Sequence, residues 1–273
     1  MNDSLVSRTV DTADGLHLHL EGTGRPSVLM LHGLGYASWE ASILRAQLGG
    51  EFGLWSVDNR GTGLSDRFEG ACSIQQLADD AAVAVRELGA PLTIVGHSMG
   101  GYTALTLALS HPELVQALVL IATSPGGEGS LPVPASTMRA WADAAGSAPA
   151  EFARQTMPLS FRSGWTQEHP AEFEEILAAR LAHPTSPEVW RAQFDAAERF
   201  LGTGADAGSI TAPTLVIHGT QDQVVPAENG RLLAQLIPGA RHHEMHGAGH
   251  LVHIEEPLAV ADLIRTFTAQ PLT

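Results

Sequence analysis

Lysine is absent from this chain: all 15 basic side chains are arginine, set against 30 acidic ones, for a formal charge of −15. So acidic a balance works against a nucleic-acid or anionic-membrane partner. It favours a neutral small molecule as substrate, save where a local arginine overrides the global field. Cysteine occurs once, at Cys72, so no intrachain disulfide can form and no thiol cluster can hold a metal. The fold must rest on packing, with Cys72 a buried or half-buried thiol. No apolar run approaches the roughly 20 residues of a membrane-spanning helix, and Met1-Asn2-Asp3-Ser4 lacks the basic-then-apolar layout of a secretory signal. The expected compartment is the cytoplasm. Internal repeats and low-complexity tracts are also missing. What is present, 44% hydrophobic and 16% charged residues over 273 positions, suits one large core or a core with an inserted subdomain.

Two alternating stretches, Leu5 to Val10 and Leu16 to Leu20, flank Thr12-Ala13-Asp14-Gly15 and read as a β-hairpin forming an antiparallel edge. Short apolar runs follow at Val28 to Leu31, Leu54 to Val57, Leu92 to Val95 and Ala117 to Ile121. Helical patterns separate them at Ser38 to Leu48, Ser73 to Leu88 and Met99 to Ser110. Strand alternating with helix predicts a parallel sheet with right-handed crossovers. After Ser124-Pro125-Gly126-Gly127 the rhythm breaks, and until about Gly208 the pattern is helical and divided by prolines. It returns with a strand at Thr214 to His218, a helix near Ala227 to Leu236, a strand near Arg241 to Met245 and a last helix over Leu258 to Thr268. Residues 1–125 and 208–273 are therefore expected to share one sheet, with 126–207 inserted as a helical cap.

Gly96-His97-Ser98-Met99-Gly100 fills the GxSxG pattern between the run Leu92-Thr93-Ile94-Val95 and a helix-forming stretch. A strand meeting a helix through so tight a turn would hold Ser98 Oγ proud of the sheet. A serine hydroxyl is protonated at neutral pH, so it needs a base oriented by a third group. Asp222 falls in the loop just past Thr214 to His218, and His250 in the glycine-rich Gly247-Ala248-Gly249-His250 past the last strand.

The order Ser98, Asp222, His250 resembles that of the α/β-hydrolase superfamily, within which the chain looks like a serine esterase or an enol-lactonase with a helical cap. His32-Gly33-Leu34-Gly35 and Asp58-Asn59-Arg60-Gly61-Thr62-Gly63-Leu64-Ser65 add two family-like motifs in the right order. The resemblance implies an α/β-hydrolase fold: a mostly parallel eight-stranded sheet, helices on both faces and an inserted helical cap. It implies Ser98 as nucleophile, His250 as general base and Asp222 as the orienting acid. The backbone N–H groups of Leu34 and Met99 would form the oxyanion hole. No cofactor and no metal are implied, and the oligomeric state is left open.

Several residues carry competing roles. Ser98 could be a helix N-cap, and Ser124 stands where some relatives carry their acid. His246 and His250 have a spacing that binds zinc on a helix, but Gly247 and Gly249 argue against the helix. His246 and His253 read as packing or surface histidines, and His32 and His97 as local hydrogen-bonding groups. Asp58 and Arg60 look like a turn-fixing pair. Trp39 either lines the pocket or packs beneath it. Met138, Trp141, Phe152, Met157, Phe161, Trp165, Phe173, Trp190, Phe194 and Phe200 crowd the cap, most to pack it on the core and a few to roof an apolar cleft.

Serine at the elbow argues against haloalkane dehalogenases and soluble epoxide hydrolases, which carry aspartate there. The expected chemistry is hydrolysis of a small to medium, largely apolar carboxylic ester or lactone through an acyl-enzyme on Ser98. The alternatives are a C–C bond hydrolase of aromatic degradation, whose usual oxyanion loop is longer, and a ligand-sensing signalling protein with slow turnover.

Overall fold

The computed structural model describes residues 4–50 and 52–269. Met1 to Asp3, part of the N-terminal stretch considered above, lie outside the described residues. Eight strands, β1 (Val6–Asp11), β2 (His17–Gly22), β3 (Pro26–Leu31), β4 (Gly53–Val57), β5 (Leu92–His97), β6 (Val115–Ile121), β7 (Thr214–Gly219) and β8 (Arg241–Met245), form one sheet in the order β1-β2-β4-β3-β5-β6-β7-β8. Only β2 runs against the rest: it pairs antiparallel with β1 on one side and β4 on the other, while β4 to β8 are parallel. The hairpin reading was correct, with the reversal confined to one strand.

Among the described residues eleven helices accompany the sheet. They are α1 (Ser42–Leu48), α2 (Ile74–Leu88), α3 (Met99–Ser110), α4 (Ala135–Ala144), α5 (Pro149–Thr156), α6 (Trp165–Glu168), α7 (Pro170–Ala182), α8 (Pro187–Thr203), α9 (Glu228–Leu236), α10 (Val252–Glu255) and α11 (Pro257–Thr268). The helix expected from Ser38 to Leu48 is a 3₁₀ turn, Ser38–Ala41, followed by α1. Local chemistry sets the ends of α2: Ser73 Oγ accepts from Gln76 N at 3.1 Å, and Gly89 closes it with φ +98°.

β4, β5 and β7 are buried at every position, which is why they read as continuous apolar runs rather than alternations. Alternate residues feed two cores. Leu29, Leu31, Ile94, Leu118 and Leu120 meet α2 and α3, whereas Val28, Met30, Val95, Val119 and Ile121 meet α1 and α11. Each such leucine or isoleucine contributes about 1.5–3 kcal/mol on leaving water. Cys72 is buried within the first core, where burial pushes its thiol up.

Between β6 and β7 the described chain holds α4 to α8 and no strand. Phe161, Trp165, Phe173 and Met157 from this segment pack with Tyr36, Leu251 and Ile254. On its other side Phe200 stacks on Tyr102 at 4.7 Å. Because the central strands are parallel, the loops after β3, β5, β7 and β8 all emerge at one rim, beneath these helices.

Candidate active site

Ser98 is the residue between β5 and α3, at φ 52° and ψ −119°. A non-glycine side chain adopts such a backbone only where its surroundings compel it. Here Ser98 N donates to Ile121 O at 3.0 Å, and Ser98 O accepts from Thr123 Oγ1 and Gly101 N, both at 2.8 Å. The flanking glycines are forced by proximity. A Cβ at Gly100 would lie 2.1 Å from Leu31 O, and one at Gly96 would lie 2.5 Å from Gly100 O. These contacts exclude a plain N-cap serine, whose side chain would accept an amide of the first turn; Ser98 makes no such bond.

Asp222 sits in the loop after β7 with no exposed side-chain surface. Its Oδ1 accepts from Val224 N at 2.7 Å and Val225 N at 2.8 Å. Oδ2 meets His250 Nδ1 at 2.8 Å and His218 Nε2 at 3.1 Å. Burial alone would raise this carboxyl, but His250 and His218 outweigh it and hold it far below the usual carboxylate range. A carboxylate accepts only, so His250 Nδ1 carries the hydrogen and Nε2 is left as the basic nitrogen. Burial lowers the His250 imidazole, with Asp222 opposing.

His250 and Ser98 line one cavity of about 50 Å³, together with Gly33, Leu34, Tyr36, Met157 and Val224. Among the described residues no direct hydrogen bond joins Ser98 Oγ to His250. Catalytic bonds of this kind are often long without substrate and tighten around it. Among the described residues Leu34 N–H has no acceptor, whereas its neighbours are pinned: Gly33 N donates to Glu40 Oε2 at 3.2 Å, and Gly35 N to Gln193 Oε1 at 2.9 Å. Met99 opens α3, where a helix leaves its first amides unpaired.

A larger chamber of about 180 Å³ adjoins this cavity beneath α4, α5, α7 and α8, and the two share Trp141, Phe152, Arg180 and Trp190. Arg180 has no carboxylate in ion-pair contact among the described residues; its guanidinium lies 4.9 Å from the Tyr36 ring centroid. Burial lowers its pKa. Trp141, Phe152, Met157 and Trp190 are the cap aromatics and methionine that reach the cleft. Trp39 does not line the Ser98 cavity and packs against Tyr36 at 4.9 Å.

Other expectations need correction. Asp58 and Arg60 do not pair with each other. Asp58 Oδ1 accepts from Ser38 N and Oγ, both at 2.7 Å, and Oδ2 from Leu64 N, fixing the turn alone. Arg60 instead forks onto Asp80, with both bonds at 2.7 Å, and reaches Asp14 at 2.9 Å. Ser124 Oγ accepts from Gly126 N at 3.1 Å and is a turn residue. His253 is a packing histidine as read, yet it belongs to a group that no sequence signal marks. Glu40, His97 and His253 are fully buried, with ligand-type atoms within 4.8 Å of one another. Glu40 Oε1 is already in contact with His97 Nδ1, so this group is closed on itself.

The model of the alpha/beta hydrolase fold family matches residues 26–257. The chain belongs to that family. Among curated relatives, this α/β-hydrolase is 30% identical to 2-hydroxymuconate semialdehyde hydrolase of Pseudomonas putida over 93% of its own length and 90% of that protein. Among solved structures it matches an esterase from Rhodococcus sp. ECU1013 at TM-score 0.85 and 25% identity, covering 98% of this chain and 99% of the other. It also matches the enol-lactonase of Burkholderia xenovorans LB400 at TM-score 0.83 and 25% identity, over 96% and 100%.

Proposed function

We propose that this α/β-hydrolase cleaves a small to medium, largely apolar carboxylic ester or lactone, with Ser98 as nucleophile. The observation that carries this reading is the buried Asp222–His250 pair, whose free imidazole nitrogen shares a cavity with a strained serine. His250 takes the Ser98 proton as the hydroxyl attacks the carbonyl, and Asp222 stabilises the imidazolium without accepting its proton. The amides of Leu34 and Met99 receive the oxyanion, each donor worth about 3 kcal/mol of barrier. His250 then returns the proton to the leaving alcohol, and water repeats the cycle on the acyl-enzyme. The helices within 126–207 act as the cap that excludes bulk water and shapes specificity.

Arg180 supports a refinement. A guanidinium with no carboxylate in ion-pair contact among the described residues, at the junction of two aromatic-lined chambers, suits a substrate that carries one anionic group away from the scissile carbonyl, the local override that the global charge leaves room for. The same observation, with the identity to 2-hydroxymuconate semialdehyde hydrolase, favours a second reading, hydrolysis of a C–C bond beside a carbonyl. Steady-state assays on p-nitrophenyl butyrate, the p-nitrophenyl monoester of adipic acid and a vinylogous 1,5-diketone acid separate them. Ester turnover abolished by Ser98→Ala supports the first reading. Faster cleavage of the diketone establishes the second, and no turnover by folded protein returns the chain to ligand sensing. Arg180→Met is expected to lower kcat/KM for the adipate ester about 100-fold and for the butyrate less than threefold.

A further inference from the structure

Glu40 is a charged residue with no solvent exposure, placed by the 3₁₀ turn Ser38–Ala41 directly behind the Ser98 cavity. Neither the nucleophile, the base nor the orienting acid uses it. A buried carboxylate is costly unless each oxygen is occupied, so its partners report what it does. Oε2 accepts from His32 Nδ1 at 2.9 Å and from Gly33 N at 3.2 Å. Oε1 touches His97 Nδ1, as an ion-pair contact off the hydrogen-bond axis, and lies 3.5 Å from His253 Nε2. On the far side of its ring, His97 Nε2 lies 3.1 Å from the backbone carbonyl of His250.

That last contact settles the ring. A carbonyl oxygen only accepts, so His97 Nε2 carries a hydrogen and donates it to the His250 main chain. Through the His97 ring, which touches Oε1 on one side and the His250 carbonyl on the other, the carboxylate is mechanically joined to the His250 main chain. The opposite oxygen is joined to the amide next to Leu34. One side chain thus spans the oxyanion loop, the residue before the nucleophile and the loop of the base.

We propose that Glu40 is a positioning residue, which keeps the His250 imidazole in register with the Leu34 amide by bracing His97 on one carboxylate oxygen and Gly33 on the other. The inference rests on the reading of His250 as base. What matters is span as much as charge. Aspartate keeps the charge but is one methylene too short to reach Gly33 and His97 together. Glutamine keeps the length: its oxygen accepts from His32 and Gly33, and its amide donates to His97 Nδ1, leaving Nε2–H on the His250 carbonyl. The charged and titratable groups around the carboxylate are His32, His97, His253, His250, Tyr36 and Arg180.

The test compares Glu40→Asp with Glu40→Gln in p-nitrophenyl butyrate hydrolysis, with unfolding monitored in parallel and Ser98 titrated by a fluorophosphonate. Glu40→Asp is expected to lower kcat at least about 30-fold with KM within about threefold, and Glu40→Gln to recover most of that loss. The reverse ranking, or an aspartate variant as fast as wild type, overturns the inference, because charge or simple packing would then suffice. Should the aspartate variant not fold, the glutamine variant decides alone, and a fall beyond tenfold in kcat overturns it. Failure of wild-type Ser98 to take up the fluorophosphonate would instead sink the reading of the nucleophile, an outcome separate from either ranking.

Discussion

Asp222 accepts two backbone amides and faces two imidazoles, and its side chain has no exposed surface. Replacing it with asparagine puts an N–H opposite His250 or turns the imidazole to its other tautomer. Ser98→Ala, His250→Ala and Asp222→Asn are each expected to lower kcat by about 10⁴-fold or more, measured at saturating ester. Burial lowers the His250 imidazole from an ordinary value of 6.5, and the base must be neutral to act. The acid limb of kcat/KM is therefore expected below pH 6.5, and a limb above that value would assign the base elsewhere. Glu255 behaves oppositely. Burial pushes its carboxyl up to about 7, although Oε1 accepts from Gly249 N at 3.1 Å and Arg162 N at 3.0 Å. An acid raised from 4.5 to about 7 in the fold stabilises it fully below pH 4.5, and that contribution disappears as the pH rises through 7. Glutamine keeps an oxygen for both amides and cannot ionise. Glu255→Gln should therefore be more stable than wild type by ~2 kcal/mol at pH 8 and equal to it at pH 4.5, as read by urea unfolding.

At the scale of the element, the β5–α3 turn stores strain in one residue and close contact in its neighbours. Ser98→Gly relieves the positive φ and is expected to unfold at higher denaturant than Ser98→Ala, by ~1 kcal/mol. Gly100→Ala drives a methyl into the Leu31 carbonyl, and should lose both stability and kcat. This turn, the strands that bury both faces and the helices with clear caps were legible in the sequence because each depends on residues adjacent in the chain. The parallel rim followed from the alternation, and the Ser98, Asp222 and His250 positions from loops after strands already recognised. Glu40 was not legible: it lies in a short turn without motif or periodicity, and its partners at 32, 97 and 253 converge only in the fold. Gln193 and Arg180 were hidden for the same reason, on cap helices whose crossing over the sheet no local pattern encodes. The Asp58–Arg60 reading failed because proximity in sequence stood in for geometry.

Across the whole molecule, Arg60 ties distant parts together. It bridges Asp14 in the β1–β2 turn and Asp80 on α2, while its carbonyl lies 3.5 Å from Gln193 Nε2 on α8. Arg60→Met strands Asp80 among apolar side chains and is expected to cost about 3–5 kcal/mol. Because Arg60 does not line the Ser98 cavity, kcat per folded molecule should stay near wild type.

β6 and β7 lie side by side in the sheet although all of α4 to α8 intervenes between them. A ribosome therefore delivers the serine and its elbow long before the carboxylate and imidazole that sit across the seam. Until β7 and β8 have been made, the edge of β6 has no sheet neighbour on that side, and the serine lacks the carboxylate and imidazole proposed to activate it.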